Sequence, residues 1–582
     1  MAGLSLAYLL LMVPFFCAAN CIGLAFLRFG GAIGRIYRFD LTGAGLGASG
    51  AIALLFLLPP WDALRAVPLT GFGAAALVLA ATGRRARAAG LALLAAGFLF
   101  ALVLPAGSLM PRLSDYKALS VAQLAPGAEI VHRDASPLSL VTVLASPEVP
   151  IRYAPGLSLA APEGPPPQLG LYRDADQPSA IPRVESVTDA GAFLDWTIAA
   201  LPYHLRQSSR VLLLGSDGGH GLLLARRHGV ERIDLVEPDP AMTRTLSRRF
   251  DDYAGGLFTA EGTRLVLTTP RAFIARTAPG TYDLIVLTGT GGAGGLAGLS
   301  ETYDLTREAF VGYLGRLAPD GLLSVSLPLS LPPRGVLKLV ATAIAALRER
   351  GAADPARHLF VIRTWNRATL VVSARPLSEE MIAAGRAFAQ SRGFDLVYHP
   401  GIVSEQANRF NVLAEPYLYD GTRALLGPEA GDFFARYKFD LTPARDDRPY
   451  FHDFLRWSSL PELLALSRRG AMPLIEWGPL ILLATLLQAA ILSALLILLP
   501  LALRGRVPAS PDRPGRARVA GYFLALGLGF LFLEIAFMQR LTLLLGHPLY
   551  AVALVLAVFL VSAGIGAGLS PRLARVLARR GS

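Results

Sequence analysis

The sequence predicts an α/β domain with a mainly parallel, doubly wound sheet, preceded by a small β-rich domain and inserted between two sets of transmembrane α-helices. Three observations predict it. Seven long apolar runs sit at the two ends of the chain. Short strand-like segments broken by Pro and Gly occupy 109–180. From Val184 onward, apolar strands alternate with helix-like stretches and glycine turns, the pattern of a parallel sheet with crossover helices.

The apolar runs dominate the composition. Of 582 residues 53% are hydrophobic and 17% charged, with a mean hydropathy of +0.46, where a soluble chain is about a quarter charged. An ordinary soluble enzyme and any disordered or fibrous class are excluded. The formal charge of +12 does not signal nucleic acid, because 109–478 holds 38 basic and 39 acidic residues, whereas the flanks hold 17 and 4. The excess charge lies beside the apolar runs, and no nucleic-acid partner is expected. Arginine outnumbers the three lysines so heavily that a compositional bias of the source genome is the simplest reading. Cys17 and Cys21 share the first run, so no disulfide framework, zinc site or haem attachment follows, and no metal site is read. Met1–Ala7 carries no Lys or Arg, so the first run is expected to be a retained membrane helix rather than a signal peptide.

The spans are expected at 5–28, 41–60, 67–83, 89–108, 479–503, 519–545 and 548–570, since about 20 apolar residues cross a bilayer as a helix. The third is the shortest, and Pro14 is expected to kink the first. Gly43 with Gly47, and Gly564 with Gly568, have the spacing that lets helix backbones approach. Fifteen arginines, from Arg28, Arg35 and Arg38 to Arg579 and Arg580, fall on one face if every run spans, against Arg65 in the opposing short loops. The positive-inside rule makes that face cytoplasmic. The chain is therefore expected to be a multi-pass protein of the cell (inner) membrane with its central domain on the non-cytoplasmic, periplasmic face. Glu534 lies near the middle of the sixth run, with Arg540 following. A carboxylate there needs a partner or a cavity, so Glu534 reads either as part of a structural Glu534–Arg540 or inter-helix pair or as a proton or cation site.

In the central domain, Arg210-Val-Leu-Leu-Leu is a strand and Gly215-Ser-Asp-Gly-Gly a glycine turn, followed by a helix through Leu222–His228 and the strand Ile233-Asp-Leu-Val with Glu237 at its end. Leu265-Val-Leu-Thr, Tyr282-Asp-Leu-Ile-Val-Leu and Gly321-Leu-Leu-Ser-Val-Ser continue the series. Ligands of such sheets bind at the carboxyl ends of the strands. That places Gly215, Asp217, Gly218 and Gly219 beside a ligand, and Glu237 where a carboxylate can accept the two hydroxyls of a ribose. The alternative is a bare fold feature in which Asp217 caps a helix.

These stretches resemble the spermidine synthase (polyamine aminopropyltransferase) family, in its integral-membrane branch. Val211-Leu-Leu-Leu-Gly-Ser-Asp-Gly-Gly-His stands where the family has a glycine-rich stretch ending Asp-Gly-Gly, and Val236-Glu-Pro-Asp-Pro where it has its ribose-binding Glu. Tyr282-Asp-Leu-Ile-Val-Leu matches the strand before its catalytic loop, and Pro155-Gly-Leu-Ser-Leu its small N-terminal β domain. Tyr37-Arg-Phe-Asp-Leu-Thr-Gly, Asp447-Arg-Pro-Tyr-Phe, Phe532-Leu-Glu-Ile-Ala-Phe-Met-Gln-Arg and Leu545-Gly-His-Pro resemble motifs of the membrane branch. The resemblance implies a Rossmann-like methyltransferase/spermidine-synthase domain, divided as an N-terminal membrane domain 1–108, a β-rich domain 109–183, the synthase-like domain 184–472 and a C-terminal membrane domain 473–582. It also implies decarboxylated S-adenosylmethionine or a related nucleoside as ligand, and transfer of its aminopropyl group to an amine.

The sequence departs from the family where that transfer needs acids. Thr288 stands at the position of the catalytic Asp, Gly291 at the acid three residues on, and Thr269 at the adenine-contacting Asp. Threonine carries no charge with which to hold a polyamine. Glu301, Asp304 and Glu308, Asp115, or Asp446, Asp447 and Asp453 are acids that could substitute. The loop Gly289–Gly295 holds five glycines and reads as mobile. Decarboxylated S-adenosylmethionine is made in the cytosol, opposite the face assigned to this domain. The readings are therefore an aminopropyltransferase, a pseudoenzyme that binds a nucleoside or assembles with a membrane-complex protein partner, a transport-linked protein using Glu534 and Arg540, and a methyltransferase. The partners expected are the lipid bilayer and a nucleoside or polyamine ligand.

Overall fold

The computed structural model describes residues 2–105, 109–110, 112–288, 298–467, 477–503 and 516–580. The chain forms two compact units, one of residues 1–111 with 483–582 and the other of 112–482. Gly291 and the loop Gly289–Gly295 lie outside the described residues, as do Arg504, Arg506 and Arg513.

The first unit is helical among the described residues, and the chain has seven helices long and apolar enough to cross a membrane, the fifth of which begins in the other unit. They are Ala2–Arg28, Ile33–Leu57, Pro60–Ala80, Arg84–Val103, Trp477–Leu503, Arg516–Leu545 and Pro548–Arg580. The third corrects the expected 67–83. It starts at Pro60, a residue suited to the first helical position, and its first turns carry Asp62 and Arg65. Those charges hid the turns from a hydropathy reading. They pair at 2.9 Å, and Arg65 also donates to the carbonyl of Ala101.

In the second unit, β1 (Glu129–Ala135), β2 (Leu140–Ala145), β3 (Gln168–Arg173) and β4 (Asp176–Pro182) form an antiparallel meander in that order. Eight further strands form one sheet: β5 (Arg210–Leu214), β6 (Arg232–Glu237), β7 (Thr263–Leu267), β8 (Tyr282–Leu287), β9 (Leu317–Pro328), β10 (Leu359–Arg363), β11 (Arg367–Ser373) and β12 (Asp395–Tyr398). Their order is β12-β10-β11-β9-β8-β5-β6-β7. The strands from β7 to β9 run parallel, and β11 enters antiparallel between β9 and β10. The sheet is thus Rossmann-like, with its switch point where β5 lies between β6 and β8.

β5 reads as a continuous apolar run because both faces of the sheet are covered. Val211 and Leu213 enter one hydrophobic layer with Ile233, Leu235 and Phe360. Leu212 and Leu214 enter the other with Val236, Ile285 and Val325. At the far edge the antiparallel strands are pinned by a buried ion pair, Arg363 with Asp395 at 3.2 Å, and Asp395 also accepts the backbone N–H groups of Arg409, Phe410 and Asn411.

Candidate functional site

β5 ends at Leu214, and the chain must leave the sheet and re-enter a helix at His220 within five residues. Four of those five have positive φ: Gly215 at 102°, Asp217 at 41°, Gly218 at 63° and Gly219 at 102°. Glycine is required at two of them by space as well. A Cβ on Gly218 would lie 2.0 Å from the carbonyl oxygen of Ala180 in β4, and one on Gly215 would lie 2.8 Å from that of Thr288. Asp217 is the one non-glycine held in the left-handed region here, a conformation that costs energy and concentrates at ligand sites.

The turn forms one wall of a cavity of about 540 Å³ at the carboxyl ends of β5, β6 and β8. Gly215, Ser216, Asp217, Gly218, Glu237 and Thr288 line it, as do Tyr153 and Arg173 from the β-rich region, Asp304 and Leu305, and Pro328, Arg367 and His452. The volume suits a nucleoside-sized ligand.

Glu237 is almost fully buried and both of its oxygens are engaged. Oε2 accepts from the Ser216 N–H at 3.2 Å and the Ser216 hydroxyl at 2.7 Å. Oε1 accepts from the Asp239 N–H and from Arg173, both at 3.1 Å. These contacts fill about the capacity of a carboxylate, so a ribose diol would have to share or displace the half-exposed Arg173. Asp217 accepts only from the Ser179 hydroxyl, at 3.2 Å on Oδ1, among the described side chains.

Thr288 has a different use from the one its position suggests. Its hydroxyl lies 2.5 Å from the carbonyl of Gly215 and 3.1 Å from that of Leu214, donating back into the turn. Thr269 does not line the cavity. It caps the helix Pro270–Arg276, its hydroxyl accepting from the Ala272 N–H at 3.3 Å, while its neighbour Pro270 reaches the cavity wall. Gly219 belongs to the turn through its positive φ but is not among the residues that line the cavity.

Of the acids that could replace the missing carboxylates, most are used elsewhere. Asp446 pairs with Arg271 at 2.6 Å, Glu308 with Arg307, Asp447 with Arg445, and Glu301 is engaged by Tyr303 and Tyr450. Asp304 faces the cavity with no side-chain hydrogen bond among the described residues. Burial pushes its carboxyl from an ordinary 3.8 up to about 6, against a smaller downward pull from Arg271. His452 is held neutral, its pKa brought down to about 4 by burial and by the charge of Lys338. Burial raises the Tyr153 phenol well above its usual range; Asp217 adds to the rise and Arg367 opposes it.

Tyr153, Arg173, Arg367 and His452 were not singled out in the sequence. They come from β3, from the start of β11 and from loops, and no local motif marks them. Another such group lies elsewhere in the unit: Asp195, His204 and His228 bring potential metal-ligating atoms within 4.8 Å of one another. The Arg392 guanidinium, 2.6 Å from the same carboxylate, already supplies the positive charge there.

In the helical unit, Glu534 is buried and Arg540 exposed, and no ion pair joins them among the described residues. Six residues are about 1.7 helical turns, which puts the two side chains on different faces. Of the readings the sequence offered, the direct Glu534–Arg540 pair is not formed among the described residues.

No family model matches the chain. No curated protein matches it either. Among solved structures it is similar to a spermidine synthase in complex with the transition-state analogue AdoDATO, 13% identical over 50% of this chain and 87% of that one, with a TM-score of 0.32. It is similar to the spermidine synthase of Thermotoga maritima at 13% identity, 53% and 88% coverage and a TM-score of 0.31. Human methyltransferase-like protein 13 in complex with SAH is similar at 17% identity, 33% and 88% coverage and a TM-score of 0.25. The Rossmann-like assignment itself stands on the strand order and on the two covered faces of the sheet.

Proposed function

We propose that the chain is a bilayer-held protein whose β-rich and Rossmann-like regions, 109–183 and 184–472, together bind the nucleoside part of an S-adenosyl compound. The observation that carries this reading is one cavity that joins the strained glycine turn 215–219 to the buried Glu237 at the switch point of the sheet. Glu237 would meet the ribose once Arg173 yields, and Asp217 would face a cationic group on the ligand. The same cavity weakens the case for aminopropyl transfer in the family manner, because Thr288 spends its hydroxyl on the turn. Binding without that transfer is the better-supported reading. A second reading, transfer with Asp304 as the base that neutralises an amine, is favoured by the open carboxylate and its raised pKa of about 6.

The distribution of arginines supports a domain outside the cytoplasm in a multi-pass membrane protein. Protease digestion of intact spheroplasts would cleave the central domain on this reading and spare it if the orientation is reversed. Calorimetric titration of the detergent-purified chain with methylthioadenosine, with Glu237→Ala as control, tests the pocket. Binding that the control abolishes supports the reading, and no binding overturns it.

A further inference from the structure

The charges that line the cavity do not cancel among themselves, and what remains describes a ligand. Glu237 is matched by Arg173. Asp217 keeps one carboxylate oxygen open, the Asp304 carboxylate accepts no hydrogen bond, and the Arg367 guanidinium has neither a hydrogen bond nor an ion pair among the described residues. Arg367 is the first residue of β11, which runs antiparallel beside β9, so it stands at the same end of the sheet as the glycine turn. Tyr153, Asp217 and Arg367 all line this one cavity, and the charges of Asp217 and Arg367 push the Tyr153 phenol in opposite directions. The half-buried Arg367 guanidinium lines the cavity without a protein anion among the described residues, so its donors are available to an anion that the ligand brings.

We infer that the cavity selects an S-adenosyl ligand that retains its amino-acid end, with the ammonium toward Asp217 and the carboxylate toward Arg367. This rests on the nucleoside reading above and narrows it. Decarboxylated S-adenosylmethionine carries two positive charges and no carboxylate, so it would leave Arg367 unpaired and set another cation beside it. S-adenosylmethionine carries one net positive charge. Three lining carboxylates against two guanidiniums leave one net negative charge to meet it, since His452 is neutral. Arginine suits the task because its planar fork can grip a carboxylate with two parallel hydrogen bonds.

The test is calorimetric titration of the detergent-purified full chain with S-adenosylhomocysteine and with methylthioadenosine. Both are uncharged at sulfur, and they differ in the amino-acid end. S-adenosylhomocysteine is expected to bind tenfold or more tightly, about the worth of one charge-assisted contact. Arg367→Gln should close that gap while leaving methylthioadenosine unchanged, and Arg367→Lys should recover part of it. Equal affinities in the wild-type chain, equal weakening of both ligands by Arg367→Gln, or decarboxylated S-adenosylmethionine binding as tightly as S-adenosylmethionine would each overturn the inference and leave the nucleoside pocket standing. Failure of every ligand to bind would remove the pocket reading itself. The wild-type comparison needs no variant, so a poorly folding Arg367→Gln does not blunt the test.

Discussion

The Thr288 hydroxyl lies 2.5 Å from the carbonyl oxygen of Gly215, tying the end of β8 to the glycine turn that follows β5. The contact is close from both sides, since a Cβ on Gly215 would come within 2.9 Å of that hydroxyl. Its role is to hold the turn, which predicts a small structural effect rather than a catalytic one. Thr288→Val, nearly isosteric, should lower stability by about 1 kcal/mol, the net worth of a typical hydrogen bond, and weaken nucleoside binding. Thr288→Ser should preserve both. Thermal melting and titration of the two variants check this, and a Thr288→Ser chain as impaired as Thr288→Val would contradict it.

Asp304 predicts a pH dependence with a definite sign. Its folded pKa, about 6, lies above its ordinary value of 3.8. The favourable contribution of the neutral acid is therefore fully present below about pH 4 and is lost as pH rises through about 6. Asp304→Asn, neutral throughout, should match the wild-type chain near pH 4 and be more stable than it at pH 8. Melting temperatures of both proteins across that range read the difference. A difference that stays flat would mean that the carboxyl titrates normally.

What was legible in the sequence was local. β5 is a continuous apolar run because alternate residues enter two cores, and the glycine turn with Glu237 at the end of β6 follows from spacing along one chain segment. Arg173 was not legible, because its meaning comes from a partner 64 residues away in a different sheet. Arg367 and Asp304 were invisible as a set for the same reason: a strand inserted antiparallel and a loop after β8 bring them to one cavity. The identity of Thr288 was legible, but the carbonyls that take its hydroxyl were not.

The Asp195 network predicts a stability effect of the opposite pH sense. Burial alone would raise its carboxyl, but the hydrogen bond from His204, the His228 ring nitrogen 3.1 Å away, the charge of His204 and the hydrogen bond from Arg392 together hold it far below the usual carboxylate range. His204 lies 2.7 Å and Arg392 2.6 Å from the carboxylate, tying the segment 192–205 to the end of helix Glu379–Ser391. The stabilisation is present above the unfolded pKa and is lost as pH falls toward the folded one. Asp195→Asn should therefore lower the melting temperature at pH 7, and the gap from the wild-type chain should shrink below about pH 4. A gap independent of pH would point to packing alone.

Gly45 separates two kinds of glycine in the helical unit. The spacing in the sequence pointed to Gly43 with Gly47 and to Gly564 with Gly568, but helix Ile33–Leu57 meets helix Pro548–Arg580 through Gly45 instead. A Cβ on Gly45 would lie 2.7 Å from the Val561 side chain and 2.8 Å from the carbonyl of Ala557, whereas Gly43 and Gly47 have nothing within 4 Å. On the partner helix the expected pair does sit at the contact, since a Cβ on Gly564 would lie 2.9 Å from the carbonyl of Arg38 and one on Gly568 would reach its side chain. Backbone carbonyls cannot rotate aside as side chains do, so a larger residue at Gly45 or Gly564 must push the helices apart, at a cost of about 1–3 kcal/mol or more. Gly45→Leu and Gly564→Leu are expected to lower the melting temperature in detergent or to abolish accumulation in the membrane. Gly43→Leu, two residues from the first and carrying the same added volume, should behave as wild type. If Gly43→Leu proves as damaging as Gly45→Leu, the contact runs along the face that the sequence pattern named.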